Sequence, residues 1–184
     1  MREIVRESTE TKVRVQLGLK GDTGFRTGVA IKDRFFGHML NTLARYSGLN
    51  LAISAVGDLR HHVIEDVAIT LGLALREALP ATCRRYGHAV IPMDDALVDA
   101  ALDAGGRSYY EGRVPSALYE HFFRSFAENA GLTLHLRVIR GRDRHHVIEA
   151  AFKALGMALA QAVEASDVVF STKGAVRLER KQES

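Results

Sequence analysis

The strongest constraint on this chain is a hexapeptide that it carries twice, HHVIED from His61 and HHVIEA from His145, 84 residues apart. The same apolar spacing follows each copy, at residues 64, 67, 68, 71, 75, 78 and 79 after the first and at 148, 151, 152, 155, 159, 162 and 163 after the second. This i, i+3, i+4, i+7 spacing predicts a helix that buries one stripe. A helix repeated with its flanking pattern implies an internal duplication. In each copy the first histidine and the glutamate four residues on share a face, His61 with Glu65 and His145 with Glu149, while His62 and His146 project about 100° away. Each helix start can therefore offer ligands in two directions.

One such motif alone is better explained by helix capping and solvent-facing polar residues. Its repetition points instead to metal binding, and histidine with carboxylate suits divalent manganese, iron, nickel or zinc. The single cysteine, Cys83, excludes a thiolate cluster. At 184 residues and 47% hydrophobic, the chain can bury a core as one domain or as two small fused halves. Residues 1–7 lack an apolar signal-peptide core, and no apolar stretch is long enough to span a bilayer, so a cytoplasmic protein without a membrane partner is expected. The net charge of +3 is dispersed rather than gathered into a run. Nucleic-acid binding is therefore not expected, whereas arginines beside glycine-rich turns suit a small anionic substrate.

Residues 12–20 alternate strictly, with Val13, Val15, Leu17 and Leu19 on one face, as in a half-buried antiparallel strand. Glu10, just before it, reads locally as a solvated strand-end carboxylate. A helix is predicted over about 35–46 with His38 off its apolar stripe, then a strand over 49–56 leading into the first motif. Residues 83–88 read as a polar connector, with the second half opening around Ile91. An alternating stretch at 96–103, a helix over about 118–128 and a strand over 132–139 precede the second motif. His135 lies off the apolar face of that strand, beside Thr133 and Arg137. Aligned through the strand starts Ser47-Gly48-Leu49 and Ala130-Gly131-Leu132, His121 competes with His38 for equivalence, but it reads as a surface helix residue, as does His88. The fold expected is α+β, two homologous halves over about 1–90 and 91–184, each a mainly antiparallel sheet with helices on one face. With His38 on a helix and His135 on a strand, the halves would complete their metal shells differently.

Together these stretches resemble the imidazoleglycerol-phosphate dehydratase family. The likeness runs through Thr9-Glu10-Thr11, Thr27-Gly28, Phe36 to Leu40, Gly57-Asp58-Leu59, both HHVIE helices, Arg85-Tyr86-Gly87, Pro92-Met93-Asp94, Gly106-Arg107, Leu134-His135 and Ser171-Thr172-Lys173-Gly174. It implies a lyase of histidine biosynthesis that dehydrates imidazoleglycerol phosphate to imidazoleacetol phosphate. Carried over, it implies metal ligands at His38, His61, His62, Glu65, His135, His145, His146 and Glu149. It also implies Glu10 as proton-transfer group, and substrate or phosphate contacts at Arg85, Arg107, Ser171, Thr172 and Lys173. The cofactor implied is a pair of divalent ions per site, manganese by preference, and the partner a large symmetric homo-oligomer, commonly a 24-mer, with sites between subunits. The chemistry accounts for two ions. The proton leaves a carbon with no adjacent carbonyl, so the imidazole ring must take the electrons, and a cation on each ring nitrogen would stabilise that charge. Each ion is expected to draw a His and Glu at i, i+4 from one half and the adjacent His from the other.

Several supports usual in the family are missing. Gly37 stands in place of an Asp, Asn41-Thr42 replaces Asp-Gln, Asp143 replaces Asn, and only Arg60 separates Gly57-Asp58-Leu59 from His61. The segment Val29–Arg34 is longer than usual. A second reading follows, a non-catalytic metal-binding assembly protein descended from the enzyme.

Overall fold

The structure, a computed structural model, describes residues 1–22, 27–80, 82–105 and 107–166. The first half runs β1 (Arg2–Glu7), β2 (Thr11–Gly18), β3 (Gly28–Ile31), α1 (Arg34–Ser47), β4 (Asn50–Gly57) and α2 (Arg60–Ala78). The second repeats it as β5 (Tyr86–Met93), β6 (Ala96–Asp103), β7 (Tyr109–Arg113), α3 (Ala117–Ala130), β8 (Thr133–Arg140) and α4 (Arg144–Ala162). Each half forms a four-stranded sheet, ordered β1-β2-β4-β3 and β5-β6-β8-β7. Two pairings in each sheet are antiparallel; the third, β3 with β4 or β7 with β8, is parallel because a helix crosses between the strands. The expected α+β duplication, with mainly antiparallel sheets and helices on one face, is what the chain adopts.

The strict alternation of β2 buries Val13, Val15 and Leu17 and leaves Lys12 and Arg14 outside. Both sheets turn such a face inward onto helices, and the helices of the two halves meet in the middle. They meet crosswise: α1 packs on α4 and α2 on α3, so each helix pair joins one half to the other. Phe36, Phe122, Phe123 and Phe152 knit this layer, with ring centroids 5.6 Å apart for Phe36 and Phe122, 5.0 Å for Phe122 and Phe152, and 4.8 Å for Phe123 and Phe152. The crossings depend on two equivalent glycines. A Cβ on Gly72 would lie 2.8 Å from the Phe126 carbonyl oxygen, and one on Gly156 would lie 2.7 Å from Tyr46 Cβ.

Helix ends follow the same repeat. Asp33 caps α1 by accepting from the Phe36 N–H, Ser116 caps α3 through the Tyr119 N–H, and both helices close at left-handed glycines, Gly48 and Gly131. Asp143 caps α4 through the His145 N–H at 2.7 Å, whereas α2 starts at Leu59 with no side-chain cap. Asp66, the one hexapeptide residue that differs between copies, is buried and bound by Thr11 Oγ1 and by Arg6 Nε. It ties α2 to the first hairpin.

Three strands and one connector depart from the sequence reading. β1 is an edge strand whose residues, apart from Ile4, are all exposed, so its hydrophobic pattern is silent. β3 and β7 are short, at 4 and 5 residues. The stretch expected as a connector at 83–88 already contains the start of β5, because Tyr86, Gly87 and His88 pair with Asp103, Leu102 and Ala101 of β6. No helix among the described residues is long and apolar enough to cross a membrane.

Candidate active site

The crosswise helix pairs bring one histidine of each half to the His-Glu face of the other. On the α1/α4 pair, Glu149 Oε2 lies 3.2 Å from His145 Nε2 and 3.6 Å from His38 Nε2. The other oxygen, Oε1, is 2.8 Å from Lys153 Nζ. Burial works against charge on Glu149, but the Lys153 ammonium, with His38 and His145 nearby, holds the carboxyl below its ordinary value. Lys153 was not singled out by the sequence. Its signal is the repeat itself, because Ile69 stands at the matching position of α2.

On the α2/α3 pair the equivalent contact is His121 Nε2 to Glu65 Oε1, at 3.2 Å. His121 is the fifth residue of the 14-residue α3, as His38 is of the 14-residue α1. The residue read as a surface histidine is thus the structural counterpart of His38. The two centres differ in depth: the Glu149 side chain is 10% exposed and Glu65 41%.

His135, expected among the ligands, does not join them. It lies on β8 in register with Ala101 and Glu111, with its ring 5.6 Å from that of Tyr109. The parity that takes it off the apolar face turns it to the outer side of the sheet, and the helices carrying the other expected ligands pack on the inner side. His88 shares that outer side, 3.0 Å from Asp99.

The second histidine of each motif points elsewhere, as its position on the helix requires. His62 Nδ1 is 2.8 Å from Asp58 Oδ1 and 3.7 Å from Glu10 Oε2. His146 Nδ1 is 2.7 Å from Asp95 Oδ1, and its Nε2 is 3.3 Å from Asp94 Oδ2. The hydrogen bonds to Asp58 and Asp95 raise both imidazoles above the ordinary histidine value. Asp95 in turn is held down at about 2 by His146 and by the N–H groups of Arg142 and Asp143. His61 lies edge-on against His62, with ring centroids 4.2 Å apart. Among the described residues of one chain, no three His, Cys, Asp or Glu side chains form a group closed enough to hold an ion. The donors face outward, with His38 54% and His145 51% exposed.

Arg85 and Arg107 lie at the opposite end of the second half. The Arg85 N–H donates to the carbonyl of Ala162, the last residue of α4, and its guanidinium forks onto Asp103 at 2.6 and 2.9 Å. The Arg107 carbonyl accepts from Thr133 at the far end of β8. His145 and Ala162 are 17 residues apart on α4, about 26 Å of helix. Ser171, Thr172 and Lys173 lie outside the described residues.

Comparison with known proteins decides among the chemistries such a site could serve. The family profile described as imidazoleglycerol-phosphate dehydratase matches residues 31–159, a span that takes in both motifs and the helix pairs between them. The chain belongs to the imidazoleglycerol-phosphate dehydratase family. It is 44% identical to the imidazoleglycerol-phosphate dehydratase of Granulibacter bethesdensis, over 94% of this chain and 97% of that one. It is 41% identical to that of Methanosphaerula palustris, over 95% and 99%. The crystal structure of the Pyrococcus furiosus enzyme superposes with a TM-score of 0.86 at 38% identity, covering 94% of this chain and 100% of that one. The dehydratase family makes the protein a hydro-lyase of histidine biosynthesis acting on imidazoleglycerol phosphate. The non-catalytic alternative gains no support from these relatives.

Proposed function

We propose that this dehydratase works with two divalent ions, manganese by preference, each held only in part by one chain, with His38, His145 and Glu149 toward one ion and His61, Glu65 and His121 toward the other. His62 and His146 face away from these sets and would complete the shells of neighbouring copies. The observation that carries this reading is the recurrence of one contact. A glutamate oxygen meets the fifth residue of the partner helix at both ends of the helix layer, Glu149 with His38 and Glu65 with His121. Donor chemistry fits as well. A ring nitrogen and a carboxylate oxygen each about 2.1 Å from one cation stand roughly 3 Å apart, and His145 and Glu149 are 3.2 Å apart. Imidazole and carboxylate together suit a borderline ion better than a soft one. When bound, the ions supply Lewis-acid stabilisation of negative charge on the substrate's imidazole ring.

The chain's own residues do the rest. Glu10, on the β1–β2 turn and 55% exposed, is the carboxylate that takes or returns the proton in this reading. Arg85 and Arg107 cannot reach the ligands of their own chain, so their contact with the substrate phosphate would come from another copy, as planar forks of donors. Asp103 keeps Arg85 in that fork geometry. The assembly is therefore a homo-oligomer with sites between subunits, a 24-mer in this reading, cytoplasmic and without a nucleic-acid or membrane partner.

The test is turnover of imidazoleglycerol phosphate by metal-stripped protein before and after manganese is returned, with Glu10→Gln alongside. Activity restored by the metal and lost in Glu10→Gln, with metal uptake retained, is the expected result. Full activity in stripped protein would refute the two-ion reading.

A further inference from the structure

We propose that Asp58 is the positioning residue for His62, holding its Nδ1–H so that Nε2 is left as the outward donor. The inference rests on the two-ion reading, since it says how one ligand of that reading is aimed. An ionised carboxylate only accepts, so the imidazole nitrogen facing it carries the proton and the other keeps its lone pair. Asp58 Oδ1 accepts from His62 Nδ1 at 2.8 Å and from the Leu59 N–H at 2.6 Å, while the Asp58 N–H donates to the Glu10 carbonyl at 3.1 Å. The backbone of Asp58 is thus pinned to the turn, and one carboxylate oxygen is shared between the Leu59 N–H and the ring. Its reach depends on the short link in this chain: with only Leu59, Arg60 and His61 between them, Asp58 and His62 are one helical turn apart.

The second half shows the same task done from a different place. There Asp95, on the β5–β6 turn, meets His146 Nδ1 at 2.7 Å through Oδ1, and its Oδ2 accepts from the N–H groups of Arg142 and Asp143 at 2.6 and 3.2 Å. The positional counterpart of Asp95 is Glu10, because each immediately precedes the first residue of the inner strand, Ala96 or Thr11. Glu10 stands 3.7 Å from His62 Nδ1, outside hydrogen-bond range. In the first half the two duties have separated. Asp58 orients the imidazole, and the turn carboxylate is released for substrate.

The experiment uses the full chain, metal-free and labelled with nitrogen-15 at histidine, at a pH above the titration of the ring. The His62 signals are expected to report a proton on Nδ1 in the wild type. Asp58→Asn, whose amide oxygen still accepts, should keep that tautomer, whereas Asp58→Ala should shift the ring toward Nε2–H. Manganese titration of the same proteins is expected to show a loss of about 10- to 100-fold in affinity for Asp58→Ala, the usual cost of removing such a partner, and a smaller loss for Asp58→Asn. A wild-type His62 protonated on Nε2 overturns the proposal, as does an Asp58→Ala protein with wild-type signals and affinity. If Asp58→Ala does not fold, the wild-type and Asp58→Asn spectra decide. Wild-type protein that takes up no manganese would instead sink the two-ion reading, and would leave the tautomer result standing by itself.

Discussion

Gly156 of α4 faces Tyr46 of α1 across a gap so narrow that a Cβ at 156 would stand 2.7 Å from the tyrosine Cβ. Packed side chains do not approach so closely, so Gly156→Ala must push the helices apart. A loss of about 1–3 kcal/mol is expected from such overpacking, read as a lower denaturant midpoint. The same crossing sets His38 against Glu149, so metal affinity should fall with it. An unchanged midpoint would show that the helix layer is more compliant than this spacing implies.

Gly37, also in α1, should respond in the opposite direction. A Cβ there would meet only Val29 Cγ1, at an ordinary 3.8 Å. Gly37→Ala relieves a helix-interior glycine and should stabilise the fold by about 0.5–1 kcal/mol. Comparing thermal midpoints of the two glycine variants checks both signs at once.

Asp33 caps α1 and binds Arg60 Nε at 2.6 Å. Burial raises its carboxyl, but the Phe36 N–H and the Arg60 guanidinium outweigh this and leave it below the ordinary value. A carboxyl depressed in the folded state stabilises above its unfolded value, about 3.9, and that contribution is lost as pH falls through the folded one. Asp33→Ala should therefore cost about 1 kcal/mol at neutral pH, and its deficit against wild type should narrow once the pH drops below about 4. A deficit constant across that range, followed by thermal melts, would assign Asp33 a purely steric role.

The two-ion reading gives His121 the ligand role that the sequence reading gave His135, and metal stoichiometry separates the two. His121→Ala should lose about half of the bound manganese, as should His38→Ala, since in that reading each disables one of two centres. His135→Ala should bind the full amount. Elemental analysis after dialysis would count against the helix-pair centres if the His135 variant alone were depleted.

The HHVIE helices, the strand parity of β2 and the helix around His38 were legible because each carries a strong period that the fold then buries. His121 was legible only in part: the strand starts Ser47-Gly48-Leu49 and Ala130-Gly131-Leu132 set it against His38, but the period of the motifs does not, for a reason visible in β8. Its register against β6 slips between Leu97 and Val98, which pair with Arg140 and Val138 and leave Ile139 unmatched. That extra residue lengthens the path between α3 and α4. His38 and His121 are consequently 83 residues apart while the motifs are 84 apart, and a search at the motif's own period lands on Phe122. The edge strands β1, β3 and β7 left little trace because few of their side chains are buried. Nothing local could have told that His146 meets a carboxylate on a turn, since Asp95 reaches it across 51 residues.

The crosswise pairing of α1 with α4 and α2 with α3 has a historical meaning. Neither half holds a histidine from its first helix beside its own motif; the two meet only across the boundary between halves. A half-length ancestor could have assembled such a centre only as a pair of identical chains, each lending its first helix to the other's second. Fusion of the two copies kept both centres and removed the obligation that they stay alike. Lys153 opposite Ile69, and Asp58 in the contact with His62 that Asp95 makes with His146, are what that release made possible.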